Sequence, residues 1–283
     1  MSTRKSIRIP VTAACILGLA GLATLFAQQK PFRQYPGVEY FRFETPQDAN
    51  IPGEFIFARM MFSGGGPGVD GYYPRYQGDW RQGLSLWTQD YPRADRHFAK
   101  AMRRLTRVDV RSVEQPVNIE ENEQFDLPWL YAVQVGEWGP SQRICDGLRE
   151  YLLRGGFFLA DDFHGRGERE IFLESMKMVF PDRPVVEIPE EDQVLHAVFE
   201  LKDRVQIPGQ AHVRAGCKNC QDGGRGAHWQ GIYDDKGRLM VAVAYNSDLG
   251  DAWEYADDPS YPEASASLAI RIGVNYVVYA MTH

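Results

Sequence analysis

Positive charge is in short supply in this 283-residue chain, which sets 31 Lys and Arg against 38 Asp and Glu for a formal net charge of -7. That balance argues against polyanionic partners, so neither nucleic acid nor an anionic membrane surface is expected to bind. Cysteine is scarce too, with four residues in all, which excludes a small fold stapled by many disulfides. Common catalytic signatures are missing. No Gly-x-Ser-x-Gly elbow occurs and no glycine-rich loop runs into Lys-Ser or Lys-Thr, which removes the usual serine-hydrolase and phosphate-loop readings. The chain also has no internal repeat and no low-complexity segment.

What is present begins with an address. Arg4, Lys5 and Arg8 precede an apolar run over residues 11–26, and Ala27 stands before Gln28-Gln29. A basic start, a short apolar run and a small residue at the junction make residues 1–27 a secretory signal peptide, the run being shorter than the roughly 20 residues that span a bilayer. The expected location is the periplasm or the exterior. Leu25 is larger than the usual residue three places before a cut, so an uncleaved membrane anchor is the alternative. Cleavage removes three positive charges and no negative ones, taking the net charge from -7 to -10. The rest, rich in Trp, Tyr and Phe, is long enough to bury one sizeable core.

Residues 28–53 carry Pro31, Pro36, Pro46 and Pro52 and form an extended lead-in to a single domain over residues 54–283. Residues 54–62 are apolar and aromatic, a strand that breaks at Ser63-Gly64-Gly65-Gly66-Pro67-Gly68. Ala94, Phe98, Ala101, Met102 and Leu105 recur at helical spacing, which predicts an amphipathic helix over 93–107. A strand at 129–135, a helix around Ile144, Leu148, Tyr151 and Leu152 ending at Gly155-Gly156, and a strand at 157–160 follow. A helix over 168–180 and a short strand at 184–188 come next. Residues 229–233 and 238–245 flank Asp234-Asp235-Lys236-Gly237, a hairpin turn signal, and 265–281 is a buried terminal helix. Strands alternating with helices predict a mostly parallel α/β sheet covered on both faces, with a late antiparallel hairpin.

The run Phe157-Phe158-Leu159-Ala160 stops on Asp161-Asp162-Phe163-His164, as a buried strand does when it ends at a crevice. Ligands of open α/β sheets collect beyond the carboxyl ends of the strands. Side chains alternate along a strand, so Asp161 and Asp162 share a direction only if the backbone turns between them. Asp90, His196, Asn246 and Asp248 also stand at predicted element ends and join Asp161, Asp162 and His164 as candidate ligand-binding residues. Carboxylates beside an imidazole suit a divalent metal or general acid–base work. The competing structural readings are helix capping for Asp161, Asp162 and Asp248, and a hydrogen-bonded core position for His196.

Three other features carry their own alternatives. Cys217-Lys218-Asn219-Cys220 forms a loop-closing disulfide, a metal site completed by His212 and His228, or a redox pair. Gly66-Pro67-Gly68-Val69-Asp70-Gly71 fits the spaced-glycine dinucleotide pattern, but Tyr72-Tyr73-Pro74 follows where that fingerprint needs a helix. Cys145 lies on an amphipathic helix rather than on a strand-to-helix elbow.

Four segments together carry a family likeness: Trp87-Thr88-Gln89-Asp90-Tyr91-Pro92; Gly155-Gly156-Phe157 with Asp161-Asp162-Phe163; Tyr245-Asn246-Ser247-Asp248-Leu249-Gly250-Asp251-Ala252-Trp253; and Gly273-Val274-Asn275-Tyr276-Val277-Val278-Tyr279-Ala280. Over roughly residues 55–282 the chain resembles a bacterial family of unknown function, number 4159 in the series of such domains. The resemblance implies a three-layer α/β/α, flavodoxin-like fold similar to class I glutamine-amidotransferase domains, some members occurring within larger membrane-associated proteins. Amidotransferases of that class use a Cys nucleophile at an elbow and a downstream His with an acid partner. Cys145 and His196 match neither motif, so the resemblance implies fold rather than activity.

The expectation is therefore an exported binding or interaction domain, without catalysis, whose crevice holds a small polar ligand or a partner's loop. No cofactor is expected, and a divalent metal enters only with the alternative reading. The alternative is a divalent-metal hydrolase built on Asp161, Asp162, His164 and His196.

Overall fold

The aromatic run at residues 54–62 supplies β1 (Ala58–Met60), one strand of a seven-stranded sheet. The structure is a computed structural model that describes residues 29–64, 79–202, 204–216 and 226–283. The remaining strands are β2 (Gln115–Val117), β3 (Trp129–Ala132), β4 (Phe157–Ala160), β5 (Val186–Glu187), β6 (His228–Tyr233) and β7 (Leu239–Tyr245). Their spatial order is β2-β1-β3-β4-β7-β6-β5. The first five pair in parallel, and β6 and β5 add antiparallel at one edge. The late hairpin forms as expected, Asp234 Oδ1 accepting from the backbone N–H groups of Lys236 and Arg238 at 2.8 and 2.9 Å.

Every residue of β3, β4 and β7 is buried, the signature of strands covered on both faces. Alternation sorts their side chains into two cores. Trp129, Tyr131, Phe157 and Leu159 join α1 (Arg93–Leu105), α5 (Leu249–Glu254) and α6 (Glu263–Thr282) on one face. Leu130, Ala132, Phe158 and Ala160 join α2 (Gln142–Leu153) and α3 (Gly165–Val179) on the other. A fourth, short helix, α4 (Gln210–Arg214), precedes β6. Phe98 of α1 meets Trp253 of α5 with ring centroids 4.7 Å apart, and burying an aromatic of that size stabilises by roughly 1.5–3 kcal/mol. By length and composition α6 could cross a membrane, but here it is a core helix. Buried Asn275 makes four hydrogen bonds from it, donating to Val194 O and Phe199 O and accepting from Val198 N and Phe199 N.

Residues 29–53 lie along the domain and are held by arginines. Arg111 donates to the carbonyls of Ala49 and Lys30, both at 3.0 Å, and Arg96 donates to Glu44 O at 2.6 Å while pairing with buried Glu114. That track brings Glu39 and Tyr40 over the loop that precedes α1. Residues 1–28, the spaced glycines at 66–71 and the Cys217/Cys220 pair lie outside the described residues.

Candidate functional site

Three neighbouring strands leave the sheet through residues that L side chains seldom favour. Gln134 after β3, Asp162 after β4 and Asn246 after β7 have φ of 55°, 51° and 58°, and Asp90, just before α1, has 60°. Left-handed backbone in non-glycine residues costs on the order of 1–2 kcal/mol each and persists where surrounding contacts fix it, often at functional sites. At Asp162 this turn sends the adjacent carboxylates to different partners.

Asp161 is fully buried and saturated. Its Oδ1 accepts from Leu249 N at 3.1 Å, and its Oδ2 accepts from Gly250 N at 2.9 Å and Tyr131 Oη at 2.8 Å. It thus caps α5 and not the helix that follows it in sequence. Burial, with Asp162 adding to it, pushes its carboxyl up to about 7, while the three donors pull the other way. The start of α3 is served instead by Glu168, whose Oε2 accepts from His164 N at 2.6 Å, and by Asn246, whose Oδ1 accepts from Gly165 N at 3.0 Å. Asn246 also donates to Gly226 O at 3.0 Å, so it brackets two loops rather than facing a ligand.

Asp162, 6 % exposed, takes other partners. Its Oδ2 accepts from Gln134 Nε2 at 2.6 Å and its Oδ1 lies 2.9 Å from His164 Nε2. Burial acts to lower the His164 pKa, but the hydrogen bond and charge of Asp162 outweigh it and hold the imidazole above its ordinary range. Burial pushes Glu168, behind this pair, up to about 7.

A second carboxylate group adjoins the first. Asp248 is the N-cap of α5, its Oδ1 accepting from Asp251 N at 2.8 Å, and Asp251 Oδ2 accepts from Gln210 N at 2.6 Å. Asp90 donates its N–H to Glu39 Oε2 at 2.8 Å, and Glu254 accepts from Tyr40 Oη. One ligand atom each from Asp90, Asp248 and Asp251 lie within 4.8 Å of one another, and the same holds for Glu39, Asp90 and Glu254. Burial and the surrounding acids push Asp90 and Asp248 well above the usual carboxylate range, and burial takes Glu254 up to about 8. Gly250 lets α5 approach closely, since a Cβ there would sit 2.2 Å from Asp90 Oδ2 and 2.7 Å from Tyr131 Oη.

Beneath the cluster lies a buried ion pair. Arg59 of β1 donates through Nε to both Asp95 oxygens, at 3.1 and 2.9 Å, and through Nη1 to Trp87 O at 3.1 Å and Gln89 O at 3.0 Å. The guanidinium therefore fixes the loop that presents Asp90, but its charge is matched by Asp95.

The seven candidates from the sequence do not all converge. Asp90, Asp161, Asp162, His164 and Asp248 gather around the ends of β3, β4 and α5. His196 does not: it is exposed, tied to Glu200 Oε2 and Glu190 O, each at 2.7 Å, in a turn that packs on α6. Among the described residues, no group of three or more His, Cys, Asp or Glu side chains with ligand atoms all within 4.8 Å of one another contains Asp161, Asp162, His164 or His196. His228 contacts Glu187 at 2.8 Å and His212 lies on α4, while their supposed partners Cys217 and Cys220 lie outside the described residues. Glu39, Gln134, Asp251 and Glu254 were missed. The spacing Asp248, Asp251, Glu254, one face of a short helix, was the available signal for two of them; Glu39 offered none. Concavities of about 620 and 500 Å³ open at the other end of the sheet, near Gly155 and Arg238 and near Gly53 and Pro128. Their walls carry none of these residues.

The chain belongs to the family described as Domain of unknown function (DUF4159), whose model matches residues 79–281. No curated protein matches the chain.

Proposed function

We propose that this is an exported binding domain whose acidic crevice, at the carboxyl ends of β3, β4 and β7, receives a small polar ligand carrying hydrogen-bond donors or positive charge. The observation that carries the reading is the Asp162 carboxylate, held between Gln134 and His164 on a left-handed backbone at the end of the central strand. It is fixed in place before any ligand arrives, and preorganisation of this kind lowers the ordering cost of binding. The parallel order β2-β1-β3-β4-β7 supports the flavodoxin-like assignment, because it follows the 2-1-3-4-5 order of doubly wound folds, whose ligands sit outside the strand carboxyl ends. Residues 1–27 supply the export signal.

Binding without chemistry is favoured by the condition of Cys145. It is buried on α2, where burial pushes its thiol up to about 11, the opposite of an activated nucleophile. The hydrolase alternative loses Asp161 to the N-terminus of α5 and His196 to Glu190 and Glu200. A thermal-shift screen of small amines, amino acids and sugars against the wild type, Asp162→Asn and His164→Gln tests the reading. A ligand that raises the wild-type melting temperature and loses that effect in both variants supports it. Stabilisation that survives both substitutions places binding elsewhere and overturns it.

A further inference from the structure

Five carboxylates, those of Glu39, Asp90, Asp248, Asp251 and Glu254, meet at the junction of the lead-in, the loop before α1 and helix α5. Asp90, Asp248 and Glu254 are 1 %, 5 % and 0 % exposed. Two of the oxygens are deeply buried and have no hydrogen-bond partner: Asp90 Oδ2 and Glu254 Oε2. A buried carboxylate oxygen without a donor is costly and needs a proton or a cation. The nearby guanidinium groups are already engaged, Arg59 with Asp95 and Arg93 with Tyr40 and Asp257.

We propose that this cluster binds a hard divalent cation of the Ca²⁺, Mn²⁺ or Mg²⁺ class, with Asp90 as the ligand shared by the Asp90–Asp248–Asp251 and Glu39–Asp90–Glu254 triads. The donor set is all oxygen, with neither His nor Cys, which selects hard ions over Zn²⁺ or Cu²⁺. The spacing fits an ion. Ligand atoms bound at about 2.0–2.6 Å lie up to roughly 5 Å apart across the metal, and each triad gathers its atoms within 4.8 Å. Gly250 brings the α5 backbone against Asp90 Oδ2, which crowds that side of the cluster against an organic cation. The cation would bind one side of the crevice, beside Asp162, and so deepens the ligand-binding reading and rests on it: it would supply positive charge to a ligand's oxygen while Asp162 accepts from the ligand's donors.

The test uses the full chain stripped with chelator and titrated calorimetrically with CaCl₂, MnCl₂ and MgCl₂ in turn, beside Asp90→Asn, Asp251→Asn and Glu254→Gln. Glu191→Gln, on an exposed turn, is the control for loss of one charge. The wild type is expected to take up at least one of these ions stoichiometrically. Asp251→Asn and Glu254→Gln should weaken that ion at least tenfold, Glu191→Gln less than twofold, and each variant should still melt cooperatively. Should Asp90→Asn fail to fold, the other two variants decide the matter. No uptake of any of the three ions at millimolar concentration, or equal weakening by Glu191→Gln, overturns the proposal. Small-ligand stabilisation that depends on Asp162 but occurs without uptake of any ion would remove the cation alone; uptake of an ion without such a ligand would remove the ligand-binding reading instead.

Discussion

Replacing Arg59 by Met should come close to unfolding the protein, and replacing Asp95 as well should rescue most of the loss. Arg59 and Asp95 have side chains 0 % exposed, and Arg59 also holds the carbonyls of Trp87 and Gln89. Removing one member of such a pair leaves an uncompensated buried charge, worth about 3–5 kcal/mol. Each carbonyl that loses its Arg59 donor adds up to about 1–3 kcal/mol, so Arg59→Met should cost ~5–8 kcal/mol after partial relaxation. A domain of this kind has only about 5–15 kcal/mol to lose. Asp95→Leu alone leaves the guanidinium unpaired and should cost ~3–5 kcal/mol. In Arg59→Met/Asp95→Leu neither charge remains and apolar contacts replace them, so the double variant should lose only about 2–4 kcal/mol, mostly from the two carbonyls. Urea unfolding of the four proteins gives the coupling energy directly, and it should exceed ~3 kcal/mol. Single effects that simply add, with coupling below ~1 kcal/mol, would refute the view that the pair acts as one unit anchoring the Asp90 loop.

Two further outcomes concern the carboxylates around the end of β4. Asp161→Ala strips three buried donors, Leu249 N, Gly250 N and Tyr131 Oη, of their acceptor and should cost about 2–4 kcal/mol in urea unfolding, whereas Asp162→Asn should cost under ~1 kcal/mol; the reverse ranking would contradict the division of roles between the two. Glu168 has a folded-state pKa raised to about 7 from 4.5 by burial, so its contribution is fully present below pH 4.5 and is lost as pH rises through 7. His164 is raised as well and acts in the same sense. Between pH 5 and 8 the wild type should therefore lose about 1 kcal/mol more than Glu168→Gln, after screening of a half-buried group, and parallel pH–stability curves would show that Glu168 is not perturbed.

The layers of the fold were legible because apolar runs of strand length alternate with helical periods: residues 129–132 and 157–160 are buried on both faces and read that way in sequence. β2 escaped because Gln115-Pro116-Val117 is short and carries a proline, which a sheet tolerates at its edge, where β2 lies. The end of β4 drew attention to Asp161 and Asp162 as candidates. Which way its two aspartates point was not legible, since a single left-handed residue, Asp162, decides it. Asp161 was open to a capping role, but the helix it caps starts 88 residues later, a pairing only the tertiary fold creates. Glu39 reaches Asp90 across 51 residues by way of the arginine-held lead-in, and no local pattern marks it. His196 was misplaced because a polar residue at the end of an element looks alike whether it faces a crevice or a solvent-exposed turn; Glu190 and Glu200 hold it in the turn.

Diffraction from crystals of the full chain soaked in MnCl₂, with anomalous differences recorded near the manganese edge, tests the proposed cation site at Asp90 most directly. The expected result is one strong peak within about 2.0–2.6 Å of an Asp90 carboxylate oxygen, with Asp248 and Asp251 or Glu39 and Glu254 completing the shell. Anomalous peaks confined to surface carboxylates, with none at Asp90, would contradict it.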